Sequence, residues 1–171
     1  MNLERLSSVV DAMRYQCRLR ELASFGPDGS GTRAARIAQT LASLAAGRYV
    51  LGLGPNCSAL IRLGRLPIRL GRHAGPLEES RDEVIDYSID DASVVGPREV
   101  SRVHCVLSTE GCPADEVELS DDGSTTGTWL LPEGDRLEPD SPRRLRHGDL
   151  FSLGPSGTNL FLVLVIPGGP A

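Results

Sequence analysis

The chain has 171 residues, 40% hydrophobic and 24% charged, with a formal net charge of −5. That length suits one sizeable domain with a small appendage, or a single elaborated domain, and the composition is that of a soluble globular protein. The acidic balance excludes a general nucleic-acid binder, which would carry a basic patch or stripe. All 18 basic residues are Arg, so any anion site must rest on guanidinium or backbone groups.

The first segment reads as helical. Leu3, Leu6, Val9, Val10, Met13, Cys17 and Leu22 recur at helical spacing and form one apolar face. After Phe25 the run GPDGSG breaks the pattern, and Thr32 then N-caps an Ala-rich helix stopped by Gly47. Residues 1–47 are therefore expected to form a helical hairpin. Its own core is too small for stability, so it must pack on the next domain, on a second copy or on a partner. The GPDGSGT stretch lacks the Lys of a phosphate-binding loop and follows no strand, so it reads as a linker.

From Arg48 the character changes to short apolar runs separated by Gly, Pro and Asp, the pattern of an all-β sandwich or barrel. The segments ALIRL and LPIRL flank Gly64-Arg65, which predicts a hairpin with a type II′ turn. After Arg72 comes a long connection carrying Glu78, Glu79, Asp82, Glu83, Asp86, Asp90 and Asp91. It is expected to be an acidic inserted loop over about residues 74–91, with at most one helical turn. The strand pattern resumes to residue 167, leaving 168–171 as a frayed end.

Chemistry-bearing residues are sparse. Cys17, Cys57, Cys105 and Cys112 match no zinc spacing, and His73, His104 and His147 are scattered. The expectation is free thiols in a reducing cytoplasm, with no metal. The start, MNLERLSSVV, lacks the features of a signal peptide, and the longest apolar run, Leu160 to Ile166, is strand-sized. A soluble, cytoplasmic protein without membrane contact is expected. No nucleophile–base pair or nucleotide loop stands at a recognisable spacing, so no catalytic residue and no cofactor are expected.

Three fragments draw attention together: Gly71-Arg72 at the end of a strand, Ser101-Arg102-Val103-His104 at the start of another, and the loop from Asp121 to Trp129, DDGSTTGTW. In this order on a β chain they resemble the forkhead-associated (FHA) family, and RLRHGDLFSLG resembles the pattern near that family's end. The resemblance covers roughly residues 48 to 167. It implies a β-sandwich of two antiparallel sheets whose loops at one end bind phosphothreonine peptides. Arg72 would then be the main phosphate-binding guanidinium and Ser101 a direct hydroxyl donor. Arg102 would flank the phosphate or ligand backbone, and Thr125 would donate beside the phosphothreonine methyl group. Gly71, His104, Gly127 and Thr128 would shape the site. The chemistry agrees: a phosphate dianion needs a guanidinium fork and neutral donors for its remaining oxygens.

Two departures from the family pattern stand out. Thr126, which the resemblance places with Arg72, Ser101, Arg102 and Thr125 among the phosphopeptide-binding residues, replaces the usual Asn that hydrogen-bonds the ligand backbone, and the gap from Arg72 to Ser101 is about twice the family's usual length. Arg65 competes with Arg72 for the guanidinium role but falls in the predicted turn. Asp121 and Asp122 read as loop-capping acids, and Trp129 as a core residue of a strand.

The resemblance implies a non-catalytic adaptor, its partner a phosphothreonine protein such as a Ser/Thr kinase or its substrate, in a bacterium. The alternative is a phospho-independent FHA scaffold within a larger machine such as a secretion system. In either case the N-terminal helices offer a surface for self-association or for covering a sheet edge. The acidic loop, if it lies beside the pocket, would disfavour acidic peptides.

Overall fold

The computed structural model describes residues 44–53, 56, 60–72, 85–89 and 98–168. The chain falls into two compact units, Arg48–Val165 and a second made of Met1–Gly47 with Ile166–Ala171. Residues 1–43 of the expected helical hairpin lie outside the described residues, as do most of the acidic charges after Arg72.

The described strands are β1 (Gly47–Gly52), β2 (Leu60–Leu63), β3 (Ile68–Arg72), β4 (Tyr87–Ile89), β5 (Cys105–Ser108), β6 (Glu116–Asp121), β7 (Thr128–Leu131), β8 (Asp135–Arg136), β9 (Arg143–Arg146), β10 (Leu150–Leu153) and β11 (Leu160–Ile166). They form a six-stranded sheet, β2-β1-β11-β10-β7-β8, and a five-stranded sheet, β4-β3-β5-β6-β9. The expectation of a mainly β fold with two sheets therefore holds. The second sheet is mixed: β3 pairs antiparallel with β5 but parallel with β4.

Period-two burial explains how the strands share a core. In β6, Val117, Leu119 and Asp121 point inward while Glu116, Glu118 and Ser120 are half-buried on the other face. The outward Glu116 and Glu118 pair with Arg146 and Arg144 of the neighbouring β9. Leu70, Leu107, Val117 and Leu119 of the five-stranded sheet join one apolar cluster with Val50, Ile61, Phe151 and Phe161 of the other. Phe151 and Phe161 stack with ring centroids 5.2 Å apart, a favourable aromatic geometry.

Two expectations are corrected here. The first is the hairpin around Gly64-Arg65. β2 pairs with β1 in the six-stranded sheet, register Val50↔Ile61, whereas β3 belongs to the other sheet. Residues 64–67 cross between the sheets, and Gly64 lacks the positive φ that a type II′ turn requires. Its carbonyl instead accepts a hydrogen bond of 2.7 Å from the Thr109 hydroxyl beyond β5. Alternation in ALIRL and LPIRL fixes which side chains point inward, but it does not say which strand lies alongside.

The second correction concerns the acidic connection, which is not loop throughout. Tyr87–Ile89 forms β4, with Leu70↔Tyr87 and Arg72↔Ile89 in register and Ile89 buried in the core. Asp86 fastens its start, donating its N–H to the Arg69 carbonyl at 3.0 Å and accepting the Arg69 N–H at 2.7 Å. This acid is a structural cap on the strand pair.

Candidate functional site

The site grows from the exit of β3. The Arg72 N–H donates to the Ser101 carbonyl at 3.0 Å and the His104 N–H to the Leu70 carbonyl at 2.9 Å. Residues 101–104 are thereby laid along the strand end. The approach is so close that a Cβ on Gly71 would overlap the carbonyl oxygen of Arg102. Gly71 is thus required by backbone contact, and it leaves Arg72 half-buried at the strand's end. Arg102 is half-buried too. Its guanidinium makes no hydrogen bond or ion pair among the described residues.

Ser101 and His104 join this segment to the β6–β7 loop. The Ser101 N–H donates to His104 Nδ1 at 3.1 Å. With Nδ1 accepting, the neutral ring carries its proton on Nε2, which faces the Gly127 carbonyl at 3.1 Å and donates to it. The ring is fully buried, so it works as a strut between two loops. The Ser101 hydroxyl oxygen accepts the Thr125 N–H at 3.0 Å. That bond uses an oxygen lone pair and leaves the hydroxyl hydrogen able to donate elsewhere.

Asp121 holds the loop from below. Alternation along β6 turns it into the interior, where its Oδ1 accepts the Ser124 N–H at 2.7 Å. Its Oδ2 accepts the Ser124 and Thr128 hydroxyls, both at 2.7 Å. The Ser124 oxygen in turn accepts the Gly127 N–H at 3.0 Å. Burial pushes the Asp121 carboxyl upward, but hydrogen bonds from Thr128 and Ser124 outweigh it and hold the group below its ordinary value. The reading of Asp121 as a loop cap agrees with this geometry, while Asp122 is exposed. Gly127 has φ 87°, in the left-handed region, and a side chain there would also strike Arg136.

Thr126 and Trp129 occupy positions that the sequence did not reveal. The Thr126 hydroxyl donates to the carbonyl of Glu99. The indole N–H of Trp129 donates to the Thr126 carbonyl at 3.0 Å, and Trp129 is half-buried rather than in the core. The expectation of a core Trp is corrected accordingly: its polar edge has a partner in the loop, as a partly buried indole needs.

The structure therefore brings Ser101, His104, Thr125 and Gly127 into one hydrogen-bonded set, with Gly71-Arg72 against its first segment. The donors left over at this end include the Ser101 hydroxyl hydrogen, the Thr126 N–H, the Arg102 guanidinium and the hydroxyl of the exposed Thr125. Such a set can hold an anion. Among the described residues no cluster of His, Cys, Asp and Glu could hold a metal ion. Sequence reasoning missed Glu99, Ser124 and the structural weight of Asp121; the inward phase of EVELSD was the available signal for the last.

The family model for the FHA domain matches residues 68–154, just over half of the chain. The chain belongs to the FHA family. FHA domains are phosphothreonine-binding modules and generally non-catalytic. Among solved structures, the yeast splicing factor Pml1 is 20% identical with a TM-score of 0.54, covering 77% of this chain and 90% of that one. The MEK1 FHA domain is 17% identical with a TM-score of 0.50, covering 77% and 99%. The FHA domain of the CT664 protein from Chlamydia trachomatis is 21% identical with a TM-score of 0.49, covering 70% and 97%. No curated protein matches the chain.

Proposed function

We propose that this FHA domain is a non-catalytic adaptor that binds a phosphothreonine segment of a partner protein in Ser/Thr-kinase-linked signalling or assembly, in the cytoplasm. Arg72 and Arg102 supply the guanidinium groups, while Ser101 and Thr125 supply the hydroxyl donors. The observation that supports this reading best is the Ser101–Thr125 bond, which ties the Ser101 hydroxyl to the backbone of Thr125 next to the Gly71–Arg72 strand end. Neutral donors beside guanidinium groups are what a phosphate dianion requires once it leaves water.

Calorimetry with phosphothreonine peptides and their unphosphorylated counterparts tests the reading. Wild type is expected to bind only the phosphorylated set. A charge-assisted hydrogen bond contributes about 1.5–3 kcal/mol, so Arg72→Ala is expected to weaken binding by roughly tenfold to more than a hundredfold. Equal affinity of wild type and Arg72→Ala would remove Arg72 from the site.

A second reading, a phospho-independent assembly module, draws on one observation: Thr126 donates its hydroxyl within the protein, to Glu99. Equal capture of a partner before and after phosphatase treatment would favour it.

A further inference from the structure

The edge strand β8 runs along the exit of the binding loop. Trp129 of β7 and Arg136 of β8 are in register, and the Leu137 N–H donates to the Thr128 carbonyl at 2.7 Å. Directly opposed residues of neighbouring strands point to the same face of a sheet, so the Trp129 indole and the Arg136 side chain stand side by side. Both lean back toward the loop. The indole N–H donates to the Thr126 carbonyl at 3.0 Å. The Arg136 stem lies over Gly127, where an added Cβ would meet its Cγ and Cδ at 3.0 Å. The missing side chain of Gly127 is what admits the arginine.

Beyond that stem the charged head is uncommitted. Arg136 is exposed, and its side chain makes no hydrogen bond or ion pair among the described residues, although the exposed Asp135 and Glu138 are close to it in the chain. The arginines of β9 behave differently, since Arg144 and Arg146 each pair with a glutamate of β6. A stem laid on the loop with its guanidinium in water is arranged to take a carboxylate from outside.

The position of this group relative to the phosphate donors follows from the loop. Ser101 meets the β6–β7 loop at Thr125, on the approach to β5, whereas Arg136 meets it at Gly127 from the edge of the other sheet. Thr125 and Gly127 are two residues apart, so their Cα atoms are separated by about 7 Å at most. An extended ligand advances about 3.3 Å per residue. A chain that leaves Thr125 toward β8 therefore brings to Arg136 a residue within about four positions of its phosphothreonine.

We propose that Arg136, beside Trp129 at the β7–β8 edge, is a specificity-determining residue that takes the carboxylate of an Asp or Glu close to the phosphothreonine in the ligand. The proposal rests on the phosphothreonine reading above. With a net charge of −5 the protein repels acidic ligands as a whole, so the preference for acid is confined to the ligand position that faces Arg136.

Calorimetry on the full chain at low ionic strength tests it. The ligands are a phosphothreonine peptide with about five residues on each side, its unphosphorylated form, and a set with Glu or Gln at each flanking position in turn. An exposed guanidinium–carboxylate pair is expected to make Glu bind about three- to fivefold more tightly than Gln at one position. Arg136→Gln is expected to bring that ratio to about one, and Arg136→Glu to invert it. An arginine that only covers Gly127 would, on replacement, weaken both peptides alike and leave the ratio at its wild-type value; that outcome overturns the proposal. A wild type with no position at which Glu outbinds Gln overturns it too, and in both cases the phosphothreonine reading stands. If wild type fails to distinguish phosphorylated from unphosphorylated peptide, the reading and the proposal fall together, and this is seen before any variant is made. Each variant is read by its own ratio, so either one decides should the other fail to fold.

Discussion

The underside of the β6–β7 loop and its outer rim use the same kinds of polar group in opposite ways. Underneath, the Asp121 carboxylate takes one N–H and two hydroxyls, and the buried His104 ring bridges Ser101 and Gly127. At the rim, Thr125 is exposed and Arg102 has no partner among the described residues. The difference teaches how a binding loop stays open. The satisfied groups underneath fix the loop backbone, so the rim donors it carries need little further ordering on binding.

The sharpest way to break the contrast is at Gly71. Gly71→Val drives a side chain into the Arg102 carbonyl, which is backbone and cannot swing aside. Overpacking of this kind is expected to cost about 3 kcal/mol or more, read as a fall in the urea midpoint together with lost phosphopeptide binding. Next comes the underside. Asp121→Ala leaves the Ser124 N–H and the Ser124 and Thr128 hydroxyls without their acceptor, an expected loss of about 2–3 kcal/mol in urea unfolding. A stability close to wild type would mean that the rim does not depend on that network.

The smallest effect is in pH. Asp121 is held below its ordinary value of 3.8, so the folded state binds fewer protons than the unfolded chain near that pH. Its contribution is therefore complete above the unfolded value and is lost as pH falls through the lower, folded value. Urea unfolding at neutral pH and at about pH 3 is expected to show a smaller acid-induced loss in Asp121→Asn than in wild type. An identical loss would place the acid sensitivity elsewhere.

Much of this was legible in the sequence, and the remainder has a physical reason. Strand phase is local, so the inward faces of β2, β5 and β6 could be read directly. Gly71-Arg72, Ser101-x-x-His104 and the loop from Asp121 could be found because their residue types and order carry the pattern. Neighbour relations are not local. Nothing within ALIRLGRLPIRL says that its two halves enter different sheets, and nothing near Thr126 says that its hydroxyl meets a carbonyl 27 residues away. Likewise Tyr87–Ile89 is too short to announce itself within an acidic stretch. It becomes a strand because β3 offers an edge and the core takes Ile89.

The β6–β7 loop also crosses from the five-stranded sheet to the six-stranded one, while Ser101 lies on the approach to β5 in the former. Ser101 grips Thr125 from one side and Gly154, at the end of β10, grips Gly127 from the other. In mechanical terms the loop is a hinge pin between two plates. On the proposed function, a dianion held by Ser101 and Thr125 would add a second tie beside that pin, joining the approach to β5 to the β6–β7 loop.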